Sequence, residues 1–215
     1  MSTDRDLQKS VLEELSWEPS VTAAHIGVTA KDGVVALTGH VENYMEKFAA
    51  ERAAGRVKGV KAVAEEIEVR LPIDTNRSDE EIAAAALNRL AWSVSVPRDV
   101  VKVRVEEGWV TLTGEVEWHY QKEAAEHDVR SLYGVVGVSD QITIKTRVDA
   151  LHIRDDIMHA LHRSWMFDPA ISVVATGGRV KLSGTVRTPY DRRIAGATAW
   201  AAPGATVVEN DLIVV

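Results

Sequence analysis

The 215-residue chain has no cysteine. That absence excludes disulfide frameworks, Cys-ligated zinc, iron–sulfur clusters, thiol nucleophiles and an acylated lipoprotein cysteine. An excess of positive charge is missing too: 25 Lys and Arg stand against 32 Asp and Glu, for a formal charge of −7. General binding to nucleic-acid phosphates needs a basic surface, so no nucleic-acid partner is expected. Long apolar runs are absent. The start, MSTDRDLQKSVLEELSWE, carries charges from Asp4 onward and reads as neither a secretory signal nor a membrane-spanning helix. A cytoplasmic chain is expected, or a periplasmic one where an export signal has been removed.

Catalytic signatures are lacking as well. No phosphate-cradling Gly-x-x-x-x-Gly-Lys-Ser/Thr, no His-Glu-x-x-His and no nucleophile elbow occurs. Acidic residues are plentiful but scattered along outer faces. The expectation is a non-enzymatic protein with no catalytic residues and no cofactor.

What the chain does have is self-similarity. DGVVALTGHV around Gly33, EGWVTLTGEV around Gly108 and GGRVKLSGTV around Gly178 are three versions of one segment. Gly33, Gly39 and Gly59 recur 75 positions on as Gly108, Gly114 and Gly134, then 70 further as Gly178, Gly184 and Gly204. Val35, Leu37 and Val41 keep the same offsets. Three landmarks sharing one offset mark a repeated module.

Each module reads from its periods. It opens with apolar residues at helical spacing: Leu7, Val11 and Leu15, then Ile82, Ala86 and Leu90, then Ile153, Ile157 and Leu161. Ser78 with Glu81 three residues later predicts a capped helix start. Two alternating runs, His25 to Thr29 and Val34 to Thr38, flank Ala-Lys-Asp-Gly and predict a β-hairpin. A second helix follows (Met45 to Val57, Gln121 to Leu132, Asp191 to Trp200), then a last strand such as Ala64 to Arg70. The fold class is α+β: three tandem αββαβ modules, each a three-stranded mixed sheet packed against two helices. Their bounds are 1–72, 76–146 and 148–215. The joining segments, Pro72 to Ser78 and Thr146 to Asp149, are short and free of Gly/Ser-rich spacer, which predicts a compact or semi-rigid arrangement.

Gly-x-Val-x-Leu-[Thr/Ser]-Gly-x-Val, an Ala-rich helix, Gly-Val-x-x-Val and a closing strand resemble the BON domain, named from bacterial osmotically inducible and nodulation proteins. The first copy has Gly33 to Val41, Gly59 to Val63 and Ile67 to Val69. The second has Gly108 to Val116, Gly134 to Val138 and Ile142 to Ile144. The third has Gly178 to Val186, Pro203 to Val207 and Leu212 to Val214, with Ala205 in place of the usual Val. The resemblance implies a non-enzymatic module of the stress response and cell envelope, associated with phospholipid binding and with transport. Most members are exported or membrane-attached, and this start departs from that pattern. The motif glycines have a structural reason of their own, in turns and at strand ends.

Charge is uneven along the chain. Residues 1–72 carry −3 and residues 73–147 carry −4, while residues 148–215 are neutral. Arg179 and Lys181 on the third hairpin, with Arg187, Tyr190, Arg192 and Arg193 around the second helix, form a candidate anionic-lipid patch. The alternative is that these arginines pair with Asp191, Asp168 or a neighbouring module.

Tryptophan is over-used, 6 against only 2 Phe. Trp17, Trp92 and Trp165 each close a first helix, and that recurrence predicts core packing. Trp118-His119-Tyr120 is expected at an inter-module contact. Trp165-Met166-Phe167, in the least acidic module, makes Trp165 and Phe167 membrane candidates. His152, Asp155, His159 and His162 share one helix stripe opposite Ile153, Ile157 and Leu161. Asp155, His159 and His162 are a weak metal candidate, and a pH-sensitive surface is the competing reading; no metal is assigned. The reading as a whole is a stress- and envelope-associated binding protein contacting anionic phospholipid through its third module. A soluble protein-interaction or self-assembly scaffold without lipid affinity is the alternative.

Overall fold

A computed structural model of the chain describes residues 2–145, 152–163 and 171–214. Nine strands among the described residues form three separate three-stranded sheets, ordered β1-β2-β3, β4-β5-β6 and β7-β8-β9. Each belongs to one αββαβ module. The first is α1 (Ser2–Trp17), β1 (Ile26–Lys31), β2 (Val34–Val41), α2 (Tyr44–Arg56) and β3 (Ala62–Val69). The second is α3 (Asp79–Trp92), β4 (Lys102–Glu106), β5 (Trp109–Val116), α4 (His119–Arg130) and β6 (Gly137–Ile144). The third is α5 (Ile153–Arg163), β7 (Ile171–Thr176), β8 (Arg179–Val186), α6 (Pro189–Trp200) and β9 (Val207–Val214).

The first module shows how these residues make the fold. Asp32 and Gly33 both have positive φ, 52° and 86°, the backbone of a two-residue type I′ hairpin turn. Lys31 therefore faces Val34, and the antiparallel register runs on to Ile26 against Gly39. Return from β2 passes through α2, so β3 pairs parallel to β2, with Val35 beside Val63 and Gly39 beside Ile67. Alternation then decides the faces. Val35, Leu37 and Val41 point toward the helices and are buried, while Val34, Thr38 and His40 look the other way. From α1 the stripe Val11 and Leu15 closes over the same face, and α2 adds Ala50, Ala53 and Ala54. Small residues let α2 lie close to the sheet. Full burial of each Leu or Ile contributes about 1.5–3 kcal/mol.

The chain divides into two compact units. The first comprises Met1–Arg89, Val103–Thr111 and His127–Ser139. Within it, the Asp79 carboxylate accepts the backbone N–H groups of Glu107 and Gly108 at 2.9 and 2.8 Å, tying the start of α3 to a hairpin turn. Ser78 caps α3 as expected, its hydroxyl accepting Glu81 N–H while the Glu81 carboxylate accepts Ser78 N–H.

The second unit comprises Leu90–Lys102, Leu112–Glu126 and Asp140–Val215. It holds the third module, whose core of Ile153, Ile157, Leu161, Val180, Leu182, Val186 and Leu212 repeats the pattern of the first. Its α6 begins in a capping box between Thr188 and Asp191, with Pro in the first turn. Among the described residues no helix is long and apolar enough to cross a membrane.

Candidate functional site

The third-module bases do not form one patch. Arg179 and Lys181 alternate with the buried Val180 and Leu182 on β8, so they lie on the sheet face turned away from the helices. There β9 answers them: Arg179 Nη1 is 2.5 Å from Glu209 Oε1, and Lys181 Nζ is 2.9 Å from Asp211 Oδ2. Asp211 holds the Lys181 ammonium above its usual range, chiefly through that hydrogen bond. The partner carboxylates are thus on β9, whereas Asp191 is engaged in capping α6; Asp168 lies outside the described residues. On the helix side, Arg192 donates to the Asn210 carbonyl at 3.0 Å and the Asn210 amide returns a bond to the Arg192 carbonyl at 2.8 Å. Arg193 lies over the Tyr190 ring at 5.2 Å. Arg187 is exposed and makes no hydrogen bond, ion pair or ring contact among the described residues.

The offset of the repeat explains Arg192. Its counterparts are Lys47, which donates to the Ile67 carbonyl at 2.8 Å and pairs with Glu65 at 2.9 Å, and Lys122, which donates to the Ile142 carbonyl at 2.7 Å. Glu65 and Asp140 in turn accept the N–H groups of Ile67 and Ile142. Asn210 takes the same place in the third module and accepts Leu212 N–H. In every module a cation on the second helix thus donates to a backbone carbonyl of the last strand, beside a polar side chain of that strand. Arg192 is part of the frame.

Two tryptophans expected in the core are on the surface. Trp17 is 83% exposed and Trp92 is 87% exposed. The reason is helical phase: each stands two residues after the last buried stripe residue, Leu15 or Leu90, and two residues turn the side chain about 200° away. Trp165, Met166 and Phe167 lie outside the described residues. The histidine stripe is exposed as read, with His152, Asp155, His159 and His162 on the outer side of the α5 region. Asp155 pairs with Arg154 at 3.2 Å. Among the described residues no three His, Asp or Glu come together to hold a metal ion, so the weak metal candidate of Asp155, His159 and His162 does not assemble.

Two of the ring contacts that the structure assembles bring the end of one second helix onto the front half of the preceding one. In the first unit, the Arg130 guanidinium lies 4.1 Å over the Phe48 ring. Beside it a groove of about 360 Å³ is lined by Asn43, Tyr44 and Met45 at the start of α2 and by Arg130, Leu132 and Tyr133. In the second unit, the His119 ring stacks on Trp200 at 3.8 Å with 13° between planes. There a groove of about 640 Å³ is lined by Trp118, His119, Tyr120 and Glu123 with Gly196 and Trp200. Trp118-His119-Tyr120 thus lies at a contact with the third module.

These are two versions of one joint. Arg130 and Trp200 occupy the same repeat position, 70 residues apart, and each presses on the front half of the preceding second helix. Tyr44 and His119, 75 apart, are likewise equivalent. Half-burial against the indole pushes the His119 imidazole below its ordinary 6.5, while Glu123, 3.5 Å away, pulls in the opposite direction. The joint escaped sequence reading because Arg130 and Trp200 look unrelated until the repeats are superimposed. Phe48, as one of two Phe, was the available signal.

Comparison with known proteins agrees with the repeat. The family model described as BON domain matches residues 3–70, 78–146 and 149–215. Osmotically-inducible protein Y of Escherichia coli (strain K12) is 27% identical over 151 residues, covering 62% of this chain and 71% of that one. Among solved structures, the type III secretion protein CdsD of Chlamydia trachomatis aligns with 98% of this chain and 92% of its own at 17% identity and TM-score 0.26. The periplasmic domain of PrgH from S. typhimurium aligns with 89% of this chain and 95% of its own at 11% identity and TM-score 0.23. Scores this low carry no argument about arrangement or function. The three family matches span nearly the whole chain, which therefore belongs to the BON family and carries its domain three times over.

Proposed function

We propose that this chain is a non-enzymatic, stress-associated binding protein whose BON domains engage protein partners through the ends of their second helices. The observation that carries this reading is the repeated joint, Arg130 on Phe48 and Trp200 on His119. A surface used twice within the chain to hold another folded domain has the chemistry of a protein interface: aromatic and Arg anchors with polar rims. The stress association comes from the likeness to osmotically-inducible protein Y.

Contact with anionic phospholipid is the second reading, and a different observation favours it. Among the described residues Arg187 has no carboxylate partner, and Arg193 rests on Tyr190, a pairing suited to a charged bilayer surface. The two readings separate in one experiment on Arg187→Glu with Tyr190→Ala. Under the protein reading, cross-linked pull-down from osmotically stressed cells recovers a partner with the wild-type chain and loses it with the variant, while neither sediments with phosphatidylglycerol vesicles. Salt-sensitive sedimentation of the wild type alone would overturn it in favour of lipid.

A further inference from the structure

Arg130 carries more hydrogen-bonding capacity than its joint uses. Its Cζ lies 4.1 Å over the Phe48 ring, a contact with the π face that consumes none of the five guanidinium N–H donors. Nη2 donates to His127 Nδ1 at 2.8 Å. Nε is buried and meets no acceptor among the described residues. A buried donor without a partner is rare in folded proteins and calls for an acceptor. The joint gives no reason for it, since Trp200 at the equivalent repeat position packs on His119 with an uncharged ring.

The groove beside Arg130 has room for that acceptor. At about 360 Å³ it is the size of a small-ligand site, and its whole lining belongs to the first unit. Tyr44, Met45, Leu71, Pro72, Leu132 and Tyr133 supply aliphatic and aromatic walls, and Arg130 is the one cation among the lining residues. The one carboxylate among them is Glu42, which is exposed.

We infer that this groove binds a carboxylate carried on an apolar body, the carboxylate held by Arg130 and the body by the aliphatic and aromatic walls. A guanidinium is always charged, and its fork of Nε–H and Nη–H donors matches the two oxygens of a carboxylate. One oxygen would give Nε the acceptor it lacks. Charge selects among oxyanions: apolar walls raise the cost of desolvation with each added charge, and Glu42 repels a doubly charged phosphate more than a carboxylate. The acid is either a free organic acid or the end of a polypeptide, which present the same group to Arg130. This site goes beyond the protein-interaction reading and does not depend on it.

NMR titration of the full chain tests the inference with 3-phenylpropanoate and 3-phenylpropanamide, which differ only in the charged group. The acid should shift the backbone signals of Tyr44, Met45 and Tyr133 at millimolar concentration, and the amide should bind about tenfold more weakly or less. N-acetylleucylphenylalanine distinguishes the sources: tighter binding than 3-phenylpropanoate assigns the groove to a chain end, and weaker binding assigns it to a free acid. Arg130→Gln should bind acid and amide alike. Glu42→Gln leaves Arg130 and its joint in place, and should tighten the acid by about twofold to fivefold without helping the amide. Should Arg130→Gln lose its fold, the acid–amide comparison and Glu42→Gln still decide. The inference is overturned by an amide that binds as tightly as the acid, by acid binding that survives in a folded Arg130→Gln, or by the absence of any shift at these residues.

Discussion

The imidazole of His119 lies flat on the indole of Trp200, ring centroids 3.8 Å apart and planes 13° apart. A stacked aromatic pair contributes about 0.5–1.5 kcal/mol beyond its buried area, and the half-buried position favours the neutral ring, which loses less hydration than the charged one. Burial holds the His119 pKa below the free value of 6.5. The unfolded chain therefore binds this proton more readily than the folded one, and stability must fall as pH falls. The contribution is complete above about pH 6.5 and is lost as pH drops through the lower folded value. His119→Phe keeps a ring without the titration. Melting temperatures followed from about pH 7.5 down to 5 should show the wild type losing ground to His119→Phe. Parallel curves would contradict the assignment of the acid-sensitive step to this contact.

Gly114 is a second place where one atom decides. Its φ is 145°, and an added Cβ would overlap the Val100 carbonyl oxygen. Gly39 stands in the same relation to the His25 carbonyl. Gly114→Val combines an unfavourable backbone with a collision that backbone alone must relieve, and a loss above about 2 kcal/mol is expected. Urea unfolding measures it. A midpoint within error of the wild type would remove close approach as the reason for this glycine.

The fold was legible because the features that build it are local. Gly33 at a two-residue turn, Ser78 with Glu81 at a helix start, and Val35, Leu37 and Val41 on alternate positions each state their structure within a few residues. The glycine offsets then showed that one reading served three times. The site was not legible for the converse reason. Trp17 and Trp92 recur at one position, and recurrence alone does not distinguish a core residue from a surface one; two residues of helical phase do. Arg179 looked like a free base until β9 placed Glu209 beside it from 30 residues away. Arg130 lies on Phe48, whose repeat equivalent is Glu123, while Trp200 lies on His119, whose equivalent is Tyr44, so the two contacts share no residue type that a comparison of the repeats would bring out.

Glu46 is buried, 6% exposed, at the start of α2, where its two oxygens accept Thr22 N–H at 2.6 Å and Glu42 N–H at 3.2 Å. In the second module Gln121 takes over, its amide oxygen accepting the N–H groups of Glu117 and Trp118 at 3.0 and 3.1 Å. One acceptor oxygen therefore meets most of the need. Glu46→Ala leaves two part-buried N–H donors without their acceptor and should cost about 1 kcal/mol or somewhat more. Glu46→Gln should cost clearly less, since it keeps an oxygen where Gln121 has one. Equal losses for the two variants in thermal unfolding would show that charge, and not the acceptor, is what the site requires.

The exposed tryptophans offer the sharpest contrast with the core. Leu15 is fully buried and Trp17, two residues later on α1, is 83% exposed. Leu15→Ala removes packing on the sheet and leaves a cavity, with an expected loss of about 2–5 kcal/mol. Trp17→Ala deletes a far larger side chain, yet most of its surface is already in water, so its effect should stay within about 0.5 kcal/mol. Trp92→Ala, at 87% exposure, should behave alike. Size alone would rank these substitutions in the reverse order. Chemical denaturation of the three variants decides between size and phase: a large loss on removing Trp17 or Trp92 would mean that these rings are covered in the folded protein, by a partner or a second chain.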